Sequence, residues 1–165
     1  MQWYLIHAKP RQEQRALLNL ERQGYLCYLP LFSCERIIQR EKKVVQEPLF
    51  PRYLFIRLDG GSPARGLAPV RSTLGVSRLV SFGAEPARID GQLLDFLRLR
   101  ESRSLASPES VFQSGERVLL SGGPFAGIEA VYQMDDGEQR AMVLIEFLSK
   151  PVTLRVSQAS LCKIV

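Results

Sequence analysis

The sequence predicts an α+β protein in which an N-terminal domain, a mixed sheet with flanking helices, is joined by a linker to a small second domain. Three observations carry this expectation. Strand-forming and helix-forming segments interleave up to about residue 102; a Ser-rich stretch with neither periodicity follows; closely spaced strand candidates with Gly and Pro turns fill the remainder. The expected boundaries are 1–102 for the first domain, 103–113 for the linker and 114–165 for the second.

Trp3 to Ala8 reads as the first strand, broken by Lys9-Pro10-Arg11 before a helix of about Gln12 to Gln23. Ala16, Leu17 and Leu20 form that helix's apolar stripe, Arg15, Glu21 and Arg22 its polar face, and Gly24 stands where a left-handed residue would end it. Tyr25 to Leu29 gives a second strand, stopped by Pro30, and the charged ribbon Glu35 to Gln46 reads as a projecting hairpin.

The run Glu47 to Leu58 is apolar on both faces. Side chains alternate along a strand, so Leu49, Pro51, Tyr53 and Phe55 point one way and Phe50, Leu54, Ile56 and Leu58 the other. One face can pack on the protein's own helices. The other requires a second cover, either a neighbouring domain or a partner molecule.

Asp59-Gly60-Gly61-Ser62-Pro63 opens a loop reaching about Pro69, Val70 to Thr73 is a short turn or helix, and Gly75 breaks the chain before a strand over Val76 to Phe82. Asp90 can cap a helix running to about Ser102, with Leu93, Leu94, Phe96 and Leu97 along it. Beyond the linker, Arg117–Ser121, Ile128–Gln133, Ala141–Leu148 and Val152–Val156 are strand candidates for a small barrel. Two of these segments also suit a helix: Ala141, Leu144, Ile145 and Leu148 have helical spacing, and Ile128 to Met134 has few breakers. Pro151 would end such a second helix early, because it lacks an N–H and clashes with the preceding turn.

The 165 residues are 45% hydrophobic, enough for a real core, and 22 Lys+Arg against 17 Asp+Glu leave a formal charge of +5. That balance favours an anionic partner without demanding one. No apolar run approaches the ~20 residues of a membrane span, and the first strand is not a signal peptide. Cys27, Cys34 and Cys162, without CxxC spacing, fit reduced thiols in a cytoplasm. An enzyme is not expected: His7 is the one histidine, Asp135-Asp136 reads as a turn, and no nucleophile elbow, phosphate loop or metal-ligand spacing occurs, so neither cofactor nor metal is expected.

Ser114-Gly115-Glu116-Arg117-Val118 through Gly122-Gly123-Pro124-Phe125-Ala126-Gly127-Ile128-Glu129-Ala130-Val131-Tyr132 resembles the KOW motif, in which Phe125 would plug one end of a five-stranded barrel and Gly127 would supply a conformation that a Cβ hinders. Trp3-Tyr4, Glu47 to Phe55, Arg71-Ser72-Thr73-Leu74-Gly75-Val76 and Val80-Ser81-Phe82-Gly83 resemble the NGN domain of the NusG family. The Glu-Pro-Leu-Phe-Pro form and the Phe-Gly after the strand are most similar to its RfaH branch.

The resemblance implies an operon-specific elongation and antitermination factor that binds the clamp helices of RNA polymerase and suppresses pausing. It assigns His7, Pro51, Tyr53, Phe55, Phe82 and Leu97 to polymerase binding. It assigns Lys9, Gln12, Arg15, Asn19, Arg71 and Thr73 to non-template DNA of the transcription bubble, with Leu74 standing where the RfaH pattern has arginine. Arg36, Arg40, Lys42 and Lys43 on the hairpin read as a solvated tip within reach of upstream DNA. It further implies a C-terminal domain that is either a barrel or a helical hairpin closed on the polymerase-binding face, with Glu47 and Arg140 as an interdomain ion pair, the closed helical form being favoured in the free protein. A small-ribosomal-subunit protein is the implied partner of the barrel, and a cytoplasmic monomer the implied state. The rivals are a general NusG-like factor, a differently targeted paralogue, and a ribosome-associated RNA-binding protein.

Overall fold

A computed structural model describes residues 2–58, 68–106 and 125–149. Its first strand, β1 (Gln2–Ala8), alternates Trp3 and Leu5 toward one side with Ile6 and Ala8 toward the other, and all four are buried. Arg11, at φ 61°, turns the chain into α1 (Glu13–Arg22). Gly24 ends that helix at φ 92°, with its N–H donating to the Glu21 carbonyl at 2.9 Å and the Tyr25 N–H to the Leu20 carbonyl at 3.2 Å. Only a residue at ease in the left-handed region closes a helix this way.

Then come β2 (Leu26–Tyr28), β3 (Leu31–Ile38), β4 (Glu41–Pro48) and β5 (Tyr53–Leu58). The β3–β4 ribbon is longer than the expected hairpin, pairing from Leu31↔Pro48 out to Ile38↔Glu41, and turns on Gln39 and Arg40 at φ 52° and 66°. Two consecutive positive φ values suit the right-handed twist of a two-residue hairpin turn.

The expected continuous strand through Glu47–Leu58 is two strands. Pro48 ends β4, Arg52 takes φ 74°, and the Tyr53 N–H donates to the Phe50 carbonyl at 2.9 Å, so the chain turns a corner before β5. Within β5 the two-faced reading holds: Tyr53 and Phe55 join one apolar cluster, while Leu54, Ile56 and Leu58 join the other. Phe50 departs from it, lying with Leu49 and Phe55 because the corner breaks the alternation.

After α2 (Ala68–Arg71), the expected strand Val76–Phe82 also divides, into β6 (Val76–Leu79) and β7 (Ser81–Phe82). Between them the Val80 N–H reaches across to the Leu5 carbonyl at 2.9 Å. β7 pairs with β8 (Glu85–Pro86) around Gly83 at φ 85°, and β9 (Arg88–Ile89) returns to β1 at Trp3↔Ile89. The main sheet runs β2-β5-β1-β6, with β9 also on β1. All of its pairings are antiparallel, which refines the expectation of a mixed sheet.

The Gln92 N–H donates to Asp90 Oδ1 at 2.9 Å, opening α3 (Gly91–Ala106), which runs past the expected end near Ser102 into the expected linker. The remaining described segment is helical: α4 (Ala126–Glu129), a 3-10 turn (Ala130–Gln133) and α5 (Gly137–Ser149). Here Ile128–Gln133 and Ala141–Leu148 are helices and not barrel strands, because their helical-period apolar residues find a face to pack on. The strand candidates Arg117–Ser121 and Val152–Val156, and Pro151 itself, lie outside the described residues.

The two faces of the sheet carry separate cores. Ile6, Ala8, Leu54, Ile56, Val76 and Leu79 pack with Ala16 and Leu20 of α1. On the opposite face Leu5, Leu49, Phe50 and Phe55 pack with Leu93, Leu94 and Leu97 of α3 and with Ile128, Val131, Leu144 and Leu148 of the C-terminal helices.

Candidate functional site

The second face is built from three elements far apart in sequence. β5 supplies Tyr53 and Phe55, α3 supplies Leu97, and the C-terminal helices lie over both. Ile128, Val131 and Leu144 are fully buried, and each such side chain contributes about 1.5–3 kcal/mol on removal from water. Phe125 sits against Phe96 of α3 at 5.4 Å and Phe147 of α5 at 6.3 Å between ring centroids, so its expected place as a barrel plug is here a three-ring contact. Gly127 likewise lies in α4 without a positive φ, and a Cβ there would meet only Phe147 at an ordinary 3.7 Å.

Charges fix the register of this cover. Arg140 is fully buried, its Nε donating to the Leu49 carbonyl at 2.7 Å and Nη1 to the Met134 carbonyl at 2.8 Å, while its guanidinium lies 4.1 Å from the centre of the Phe32 ring. Its Nη2 donates to Glu47 Oε1 at 2.9 Å. The same oxygen accepts from Arg36 Nη2 of the hairpin at 3.0 Å. Burial alone would raise the Glu47 pKa, but the bonds from Arg140 and Arg36 outweigh it and hold the carboxyl below its ordinary value.

A second pair was not read from the sequence. Arg100 of α3 grips Glu129 of α4 with Nε at 2.9 Å and Nη2 at 2.6 Å from Oε1, and stacks 4.3 Å from the centre of the Tyr132 ring. Both residues are buried, Arg100 to 3% exposure and Glu129 to 8%. The only sequence signal was that Arg100 follows Leu97 by three residues, which puts both on one helix face. Burial raises the Tyr132 pKa, and its hydroxyl has no hydrogen-bond partner among the described residues. Burial and a 2.8 Å bond to Glu101 raise that of Tyr28, which keeps its proton and donates it.

Of the residues expected at a polymerase surface, Phe55 and Leu97 are buried under the C-terminal helices, and Pro51 and Tyr53 are half-buried, Pro51 beneath Gly137. His7 packs against Tyr53 at 4.9 Å between centroids with the rings tilted by 39°, and burial, with Arg52 and Arg78 nearby, lowers its pKa below the ordinary 6.5. Phe82 is apart from this core, exposed on the β7–β8 turn.

The residues expected at DNA gather where β1, α1 and the α2–β6 loop meet. Gly75 is wedged against α1, where a Cβ would come within 2.7 Å of the Ala16 nitrogen. Asn19 Nδ2 donates to the Leu74 carbonyl at 3.2 Å, and the Lys9 N–H to the Gly75 carbonyl at 2.9 Å. Lys9, Arg15 and Arg71 are exposed, Gln12 and Asn19 half-buried, and Leu74 exposed at 61%. Thr73 is turned inward: its hydroxyl donates to the Pro69 carbonyl at 2.7 Å and accepts from Gln23 Nε2 at 2.7 Å, bracing the loop. The hairpin's Arg36, Arg40, Lys42 and Lys43 are all exposed.

Cys27 is half-buried, and desolvation followed by the Glu21 charge pushes its thiol up to about 12, out of reactive range. Among the described residues no cluster of His, Cys, Asp or Glu is arranged to hold a metal, and no helix is long and apolar enough to cross a membrane.

A family pattern described as Transcription termination factor nusG matches residues 1–98. The transcription termination/antitermination protein NusG of Thermus thermophilus is 30% identical over 178 residues, covering 96% of this chain and 97% of that protein. The NusG protein of Pseudomonas aeruginosa is 26% identical, covering 94% and 96%. That of Streptomyces griseus is 24% identical over 94% of this chain, which spans 62% of its length. A solved chain described as "Domain interaction in Thermotoga maritima NusG" aligns with 55% of this chain and 51% of its own, at 24% identity and a TM-score of 0.38. With the family pattern spanning more than half of its residues and a relative 30% identical along nearly its whole length, the chain belongs to the NusG family.

Proposed function

We propose that this protein is a NusG-type elongation factor that attaches to the clamp helices of RNA polymerase through the face lined by Pro51, Tyr53, Phe55 and Leu97, with His7 and Phe82 at its margin. The free chain keeps that face covered with its own helices. The observation that carries the reading is the cover itself: an apolar face of the sheet is buried by a C-terminal segment held in register by two charged pairs. The protein is a non-enzymatic transcription factor of its family, and its mechanism is binding.

In this reading residues 1–102 form the attaching domain, 103–113 the linker and 114–165 the domain that leaves, free to become a barrel and to meet a protein of the small ribosomal subunit in the cytoplasm. Lys9, Gln12, Arg15, Asn19 and Arg71 contact the exposed non-template strand, basic groups neutralising phosphate and amides pairing with a base edge. Thr73 positions their loop. Exposed Leu74 gives this patch an apolar element in place of a cation.

Binding of the full chain to core RNA polymerase tests the attachment. Tyr53→Glu is expected to weaken it at least tenfold with the sheet intact; unchanged affinity would refute the docking face. The relatives named above are all NusG, which favours a general factor. The covered face favours a differently targeted, operon-specific paralogue, since a constitutive factor gains nothing from masking. Occupancy on most transcription units would select the first, and on a few operons the second.

A further inference from the structure

We infer that Arg100 is a specificity-determining residue of the docking face: it selects a partner helix that carries a carboxylate, and Glu129 occupies the place of that carboxylate in the closed chain. This rests on the docking reading above and adds the chemistry of the occupant.

The Arg100–Glu129 pair is an odd way to hold two apolar surfaces together. Taking both charges out of water costs several kcal/mol per ion, and a pair of well-packed hydrophobic residues in their place is often as stable or more so. Ile128, Val131, Leu144 and Leu148 already supply an apolar seal. Arg140 and Glu47 already fix the register of that seal, so a second buried guanidinium adds little to closure. It is explained if Arg100 must meet a carboxylate in both of its states.

The geometry is that of a reader. Two nitrogens of the guanidinium converge on one carboxylate, Nε at 2.9 and 3.0 Å from the two oxygens and Nη2 at 2.6 Å from one of them. Planar bidentate contacts of this kind discriminate carboxylates from amides and from point charges placed elsewhere. Leu93, Leu94 and Leu97 precede Arg100 on α3 and are buried in the same face. A helix settling on those leucines would therefore have Arg100 at its edge. Should it arrive without a carboxylate, it would take the guanidinium out of water without the two-nitrogen contact that Glu129 supplies, and that cost turns wrong partners away.

The test compares four full-length chains for binding to core RNA polymerase: wild type, Glu129→Gln, Arg100→Gln, and the double variant. Glu129→Gln loosens the cover and leaves the reader in place, so it is expected to bind more tightly than wild type. The double variant is expected to bind at least tenfold more weakly than Glu129→Gln, with a shallower dependence on salt, and Arg100→Lys on the Glu129→Gln background to recover part of the loss. Hydrogen exchange of β1 and β5 confirms that each chain retains its sheet.

If the double variant binds as well as Glu129→Gln, Arg100 is only a closure contact and the inference fails while the docking face stands. If wild type and Glu129→Gln bind and Tyr53→Glu binds as well as wild type, the docking face itself fails and takes this inference with it. If Arg100→Gln destroys the sheet, the lysine variant alone decides: affinity below the Glu129→Gln level with an intact sheet supports the reader, since a lysine cannot make the planar two-nitrogen contact, and affinity equal to it overturns the inference.

Discussion

The two faces of the central sheet are covered in different ways. The α1 face is sealed by the helix that directly follows β1 and mainly by apolar contact: Ala16 and Leu20 lie on Ile6, Leu54 and Ile56, and Gly75 lets the backbone of the α2–β6 loop touch the helix. The opposite face is sealed by helices from the far end of the chain, and its contact plane contains Arg100, Glu129 and Arg140, all buried. On the α1 side the buried carboxylate of Glu13 lies at the helix start and accepts from the Arg52 N–H at 3.4 Å, whereas on the opposite face buried charges pair directly across the contact. A surface that must be exposed in one state and covered in another can keep polar groups that give the contact a single register.

Leu54→Ala tests the permanent side. It should destabilise the N-terminal sheet by about 2–5 kcal/mol, the range for a leucine removed from a packed core, as read by denaturant unfolding. Leu144→Ala removes a side chain equally buried. It should instead release α4 and α5, with hydrogen-exchange protection lost over residues 137–149 and kept in β1 and β5. Equal loss in both regions would mean that the two faces form one cooperative unit.

Glu47→Gln should come next in size. It leaves the Arg140 guanidinium buried with carbonyl partners only, and removal of one partner from a buried pair costs about 3 kcal/mol. The closed form should open while the sheet persists, measured by the same exchange experiment; unchanged protection of α5 would show that Arg140 is satisfied by the Leu49 and Met134 carbonyls alone.

The pH dependence is smaller and has a definite sign. The closed form holds the Glu47 carboxyl below its ordinary value of 4.5, so its contribution to closure is complete above that value and lost as pH falls through the lower, closed-state value. Exchange of α5 amides, corrected for intrinsic rates, should show closure weakening only below about pH 4.5. Weakening already between pH 6 and 7 would contradict the assignment of this dependence to Glu47.

Much of the α1 face was legible in the sequence. The stripe of Ala16 and Leu20, the Gly24 terminus and the alternation of Tyr53 and Phe55 against Leu54 and Ile56 are local patterns with a single reading. The need for a second cover followed from that alternation. What would supply it did not, because Ile128–Gln133 and Ala141–Leu148 suit both periods, and only the leucines of α3 and the β5 face decide between them. Arg100 and Glu129 were unreadable for a related reason: 29 residues apart, each looks like an ordinary surface charge until α4 is laid on α3. The corner at Arg52, the division of the strand Val76–Phe82 and the two-residue strands β8 and β9 were missed because so short a strand has no periodicity, and a non-glycine residue at φ 74° leaves no compositional mark.

The central claim is that one surface has two alternative occupants, the chain's own helices and RNA polymerase. Hydrogen exchange of residues 137–149 in the full chain, measured with and without saturating core RNA polymerase, tests it most directly. Loss of protection in α5 on binding, with β1 and β5 unchanged, is the predicted result; α5 protected to the same degree in the complex would contradict it.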